Sequence, residues 1–213
     1  MSNYNLQELT HFVVEMGALC EEMLKESLSS SSTLEAMESL ENKTNTFHKQ
    51  IDDYVYKLLA LNAPVATDLR CALICLKINT ELERLADYAL GLKRIFLKAQ
   101  EFLKENAHLL SPLEQMQKQV LKALKNSLNA FVCFDAKSAR QLILEDEQIN
   151  NSYHKAMLLY LQTMKTNSDS IEECFNCLRS AKIFERMGDH ITNIAEDIIF
   201  WIDGHDIRHS RLK

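Results

Sequence analysis

A six-residue block, Leu82-Glu83-Arg84-Leu85-Ala86-Asp87, returns 102 positions later as Phe184-Glu185-Arg186-Met187-Gly188-Asp189. A recurrence at that distance points to a duplicated unit, because self-similarity at a fixed period marks repeated architecture. A looser match, Glu41-x-x-x-Asn45 against Asp146-x-x-x-Asn150, precedes each block. The chain therefore divides into two units of about 100 residues, 1–106 and 107–213.

Each unit reads as three helices. The 213 residues hold only four Gly and two Pro, and few breakers over such a length favour long helices over many short strands. Six segments follow: 6–28, a second after the serine run Ser29–Ser32 to about 61, and a third after Pro64 to about 103. The fourth starts at Ser111-Pro112, read as a cap with Pro at the first helical position, and ends near Cys133. Asp135 caps the fifth, which runs to about 164, and the sixth spans about 170–203 and stops at Gly204. No segment alternates apolar and polar residues over a strand length, so no sheet is expected. The fold class is all-α: two repeated three-helix bundles side by side.

Charge and targeting signals exclude several functions. The net charge is −6 with both signs interspersed, which argues against nucleic acid as a partner. The first residues, Met1-Ser2-Asn3-Tyr4-Asn5, lack a signal pattern. The dense apolar stretch Ile198–Ile202 is far short of the about 20 residues a membrane span needs. A cytoplasmic protein with reduced cysteines is the expectation. Cys174-x-x-Cys177 lies within a helix and is read as packing rather than as a redox or metal pair.

Polar residues interrupt the apolar seams at matched places. In the third segment Leu69, Leu73, Leu76, Thr80, Leu90 and Leu97 form a stripe at steps of three and four, read as facing the bundle, and Glu83 and Asp87 fall within it. In the sixth, Ile171, Phe175 and Leu178 lead to Glu185 and Asp189. The second segment brings Glu41, Asn45 and His48 to its seam, and the fifth brings Asp146 and Asn150. Carboxylates four apart share a helix face, repel, and lose hydration when turned inward. A neighbouring arginine, Arg84 or Arg186, would compensate them; so would a cation, since oxygen donors from two helices suit magnesium, manganese, iron or zinc. A face left open to water is the third solution. The pattern lacks the paired Glu-x-x-His motifs of diiron bundles, a glycine-rich nucleotide loop and the Gly-x-Ser-x-Gly signature.

At these motifs the chain resembles the PhoU family of phosphate-signalling regulators. The carriers are Lys77-x-x-x-Glu81-Leu82-Glu83-Arg84-Leu85-Ala86-Asp87, Phe184 through Asn193-Ile194, and Pro64-x-x-x-Asp68-Leu69-Arg70. The resemblance covers nearly the whole chain. It implies two three-helix bundles, with metal on the acidic faces: Glu83, Asp87, Glu185 and Asp189, joined by Glu41 and Asp146, with Asn45, His48, Asn150 and Asn193 as further ligands. It also implies a non-enzymatic adaptor between a phosphate ABC transporter and a sensor histidine kinase, a negative regulator when phosphate is ample, peripheral to the membrane and self-associating as a dimer. Ala86 stands where the family prefers Gly, and His48 where an acidic residue is common, which would tilt the first site toward zinc. A metal-carboxylate enzyme or metal store is the alternative, and a plain helical scaffold with solvated carboxylates a third reading.

Overall fold

The helices expected from the spacing are present. A computed structural model describes residues 4–204; among them are α1 (Leu6–Glu26), α2 (Leu34–Asn62), α3 (Ala66–Glu105), α4 (Ala107–Cys133), α5 (Ala136–Thr166) and α6 (Ile171–Asp203), with a single 3-10 turn at Ser168–Ser170 and no strand. Local chemistry sets the ends. Asn5, Thr33 and Asp135 each accept a backbone N–H from the first turn of α1, α2 and α5. Gly204 closes α6 at φ +72°. Thr33, not a residue of the serine run before it, supplies the α2 cap.

The start of α4 differs from the expectation. The helix opens at Ala107, and Pro112 lies inside it. Leu109 is fully buried and its carbonyl accepts a 2.9 Å bond from the Tyr160 hydroxyl of α5. These contacts hold an extra turn ahead of the proline and outweigh the one backbone bond its missing N–H forfeits. Asn106 alone separates α3 from α4.

Equivalent positions are buried in the two repeats. Leu9, Val13, Met16 and Leu24 of α1 correspond to Leu109, Leu113, Met116 and Leu124 of α4, and Leu82, Leu85 and Leu92 of α3 to Phe184, Met187 and Ile194 of α6. The bundles share one continuous core. Between the repeats, α3 packs on α6, α1 on α4, and α3 touches α4; α2 and α5 contact only their own repeats. The α3–α6 pair is antiparallel: Arg70 bonds to the Trp201 carbonyl, Lys77 to Asp197 at 2.9 Å, and Glu81 to His190 at 2.6 Å.

The stripe read from the third and sixth segments is not the core stripe. Leu73 is 43% exposed and Phe175 54%. The core of α3 is carried by Cys75, Ile78, Leu82, Leu85, Ala89 and Leu92. Because α3 and α6 are covered on two sides, their apolar surface is wide, and periodicity alone does not fix its centre. Glu83, Asp87, Glu185 and Asp189 therefore lie on the flank of the core.

The end of α1 is finished by other helices. Lys93 of α3 is fully buried, and its ammonium donates to the carbonyls of Ser29 (2.5 Å) and Glu26 (3.4 Å). Gln117 of α4 donates to the Leu24 and Lys25 carbonyls at 2.7 and 3.2 Å. A cation at a helix C-terminus meets the negative end of its dipole, which offsets the burial that lowers the Lys93 pKa.

Gly17 marks the closest approach of α1 to α4. A Cβ there would stand 2.6 and 2.7 Å from the two terminal carbons of Leu128. Gly17→Ala gains about 1 kcal/mol of helix propensity, but overpacking costs about 1–3 kcal/mol. We expect net destabilisation, seen as a lower denaturation midpoint at unchanged m-value, and a smaller cost of Leu128→Ala in the Gly17→Ala background than in the parent chain.

Candidate metal and docking faces

The acidic residues assemble into two faces, one per repeat, each between the second and third helices of that repeat. They form there because α2 runs antiparallel to α3, and α5 to α6, so the polar interruptions meet at one level.

In the first repeat Glu41 and Asp87 line a cleft of about 600 Å³ with Glu38, Asn42, Tyr88 and Arg94. Arg84 supplies the compensating charge: its Nε lies 3.6 Å from Glu83 Oε2 and its Nη1 3.9 Å from Asp87 Oδ2. Asn45 donates to Glu41 at 2.6 Å. Arg94 bonds to Glu38 at 3.1 Å on the same surface. His48 is engaged elsewhere. Its Nε2 lies 3.6 Å from Asp52, while Asn79 of α3 donates to both the His48 carbonyl and Asp52 at 2.9 Å.

The second repeat is less well compensated. Asp146 of α5 packs against Gly188 of α6, where a Cβ would stand 2.8 Å from its Oδ1. That oxygen is buried and has no hydrogen-bond donor among the described residues; Oδ2 accepts from Asn150 at 2.9 Å. Burial raises the Asp146 pKa, and the charges of Asp189 and Glu185 add to the effect against the hydrogen bonds of Asn150 and Thr192. Burial and then Glu185 raise Asp189 as well, against Lys182, His190 and Arg186. The cation here is Lys182, whose Nζ lies 2.6 and 2.5 Å from the Glu185 oxygens and 5.2 Å from the Tyr153 ring centre. Beside Asp146, a cavity of about 40 Å³ is bounded by Gln119, Lys122, Glu145, Gly188 and Thr192, room for a water or an ion.

Among the equivalent pairs at which the two faces differ, Ala86 in the first repeat occupies the place of Gly188. The missing methyl group in the second repeat lets Asp146 reach the α6 backbone.

Asn193 falls away from the acidic face. Its amide donates at 3.3 Å to Glu81 Oε2, the oxygen that meets His190 Nδ1. Lys77, Glu81, His190 and Asp197 thus form a polar seam between the repeats, while Tyr88 lies 5.5 Å from the His190 ring. Single-helix periodicity could not reveal this seam, since its members face one another only across the two repeats. Cys174 and Cys177 are buried, and burial raises both thiols, Cys177 to about 12, as packing residues should be.

The donor chemistry of Asp146, Glu185, Asp189 and Asn150 suits a hard or borderline cation. As they stand, no three His, Cys, Asp or Glu among the described residues are grouped to hold one ion. Lys182 would have to release Glu185 for a site to close. In the first repeat Arg84 stands between the dyad and any ion.

A PhoU domain profile matches the chain twice, over residues 13–91 and 113–198. The phosphate-specific transport system accessory protein PhoU homolog of Caulobacter vibrioides is 31% identical, over 98% of this chain and 92% of that protein. The accessory protein PhoU of Escherichia coli K12 is 27% identical over 97% of this chain and 87% of its own length. Among solved structures, PhoU from Pseudomonas aeruginosa superposes with a TM-score of 0.84 at 25% identity, covering 94% of this chain and 98% of that one. The phosphate transport system regulatory protein PhoU from Streptococcus pneumoniae gives 0.84 at 29%, covering 94% and 96%.

The Asp146 environment has a testable sign. Its folded pKa is raised, so the carboxyl costs stability once ionised, and that cost vanishes as pH falls through the folded pKa. Asp146→Asn should raise the denaturation midpoint at neutral pH. The gain should shrink toward zero as the pH approaches the ordinary carboxylate range. A gain that grows in acid would contradict the assignment.

Proposed function

Because the chain belongs to the PhoU family, we propose that it is an accessory regulator of phosphate transport that works by binding rather than by catalysis. In this reading it joins a phosphate ABC transporter to a sensor histidine kinase and restrains the phosphate-starvation response when phosphate is ample. The observation that carries the proposal is the near full-length likeness, through both repeats, to proteins named for that accessory role. The reading places the protein in the cytoplasm beside the transporter. No helix among the described residues is long and apolar enough to cross a membrane.

The structure supplies surfaces that suit such a role. Each repeat presents a half-open acidic face and, ten or more residues earlier on the same helix, the half-exposed pair Leu69/Leu73 or Ile171/Phe175. Apolar side chains followed along one helix by carboxylates fit a partner helix bearing apolar and basic residues, and the same apolar pairs give a route to a homodimer. Deleting the gene should leave phosphate-starvation genes expressed in high phosphate, read with a promoter fusion. Normal repression in the deletion strain would defeat the reading.

Metal on the acidic faces is part of the proposal. Asp146, Glu185 and Asp189, with Asn150, are the donors in the second repeat; Glu41, Glu83 and Asp87, with Asn45, are those in the first. His48 and Asn193 would join only after leaving Asp52 and Glu81. When bound, iron, zinc, magnesium or manganese would supply positive charge that relieves the carboxylate repulsion. The buried, donor-less oxygen of Asp146 favours the second repeat. Elemental analysis after metal reconstitution should show Asp146→Ala/Asp189→Ala losing more bound metal than Asp87→Ala. Equal loss would refute that ranking. Turnover that depends on Asp189 would instead favour the metal-enzyme alternative.

A further inference from the structure

One end of the molecule, where α1 and α3 begin and α4 and α6 finish, carries an apolar groove of about 500 Å³. Val14, Phe131, Val132 and Trp201 wall it, and Thr67 and Asp68 stand at its α3 side. Val132 is 62% exposed. The Trp201 ring packs on Phe134 and Phe131 at 4.8 and 5.5 Å between centres, so that wall is fixed. Among the described residues no lysine or arginine lines the groove, and Asp68 is its one carboxylate. The nearby Arg70 is engaged with the Trp201 carbonyl at 3.4 Å and the Thr67 hydroxyl at 3.2 Å. His11, also on the lining, lies 3.4 Å from Glu15. The groove is thus an apolar surface with an anionic rim.

We propose that this groove is the docking site of segment 205–213 of the same chain, which sets aliphatic side chains on the apolar wall and cations beside Asp68. Attachment selects this occupant before any other. α6 ends at Gly204, three residues past Trp201, so the segment is tethered to the helix that forms one wall. Nine residues span up to about 30 Å when extended, enough to run the length of such a groove.

Chemistry selects it as well. Ile207 and Leu212 are aliphatic, Arg208, Arg211 and Lys213 are cations, and Asp206 is the one carboxylate. Three cations against one aspartate give the segment a formal charge of +2, so the 204 residues before it carry −8 where the whole chain carries −6. A basic, partly apolar segment therefore meets an acidic body at an apolar groove, which is the complementarity that steers and orients docking. The tether supplies the rest. It holds the segment near its site at an effective concentration on the order of a millimolar. An intrinsic Kd of about 0.1 mM then leaves the groove filled about ten times as often as empty, so a contact too weak for a free peptide suffices within the chain.

Trp201 is the only tryptophan of the chain, so its fluorescence reads the groove directly. In a chain shortened to end at Gly204, its emission should move to longer wavelength and become more open to acrylamide quenching. A synthetic peptide of residues 205–213 should reverse both changes. It should bind the full chain about tenfold more weakly than the shortened one, because there it competes with the tethered copy. Added salt should weaken the peptide, and Asp68→Asn should reduce that dependence. Ile207→Asp/Leu212→Asp keeps the full length and should reproduce the spectrum of the shortened chain, which preserves the test if truncation impairs folding. Unchanged Trp201 spectra in both altered chains, or equal peptide affinity for the full and shortened chains, would overturn the proposal. So would a Trp201 signal in the full chain that varies with protein concentration, since a second copy would then be the occupant.

Discussion

The antiparallel contact of α3 with α6 is the constraint on which the rest depends. It is the largest contact between the repeats, and it puts equivalent residues near Leu85 and Met187 face to face. Buried aliphatic and aromatic side chains supply the drive, at about 25 cal/mol per Å² of apolar surface removed from water. Polar pairs then fix the alignment. Lys77–Asp197 and Glu81–His190 each tie one repeat to the other, and a slide by one turn would part both. Asp197 is 5% exposed, so parting it from its cation would leave a buried charge, a costly outcome.

Once α3 and α6 are paired, their remaining surface must serve two further masters. The inner sides meet α1 and α4, and the outer sides meet α2 and α5. Long helices covered twice leave only a narrow flank for charge, and both acidic dyads occupy it. The flank is half-solvated, which makes four carboxylates tolerable there. Arg84 and Lys182 lower the cost differently: one spans its dyad, while the other bonds to Glu185 and leaves Asp146 with a buried oxygen that has no donor among the described residues.

Much of this was legible in the sequence. The repeated block located the third helices, the scarcity of Gly and Pro gave their length, and Asp135 and Gly204 marked two ends. Asp87 lies beside Glu41 of α2, and Glu185 and Asp189 beside Asp146 of α5, while Glu83 is paired with Arg84 on its own helix. Other features depend on partners distant in sequence. The Leu69/Leu73 stripe looked central because a doubly covered helix has apolar residues over much of its circumference. Pro112 was misplaced because the turn before it is held by Tyr160, 51 residues away. His48 and Asn193 shared the spacing of the acidic residues but are claimed by Asp52 and Glu81. Lys93 carried no signal, since a lysine buried to finish another helix has the local pattern of a surface lysine.

The polar seam between the repeats also bears on their history as copies. If two first halves were docked on each other as the present halves are, Lys77 would meet Ile95 where it now meets Asp197, and Glu81 would meet Tyr88 in place of His190. The two copies keep one outline, yet the charges that join them are written half on each, so the seam matches only unlike halves.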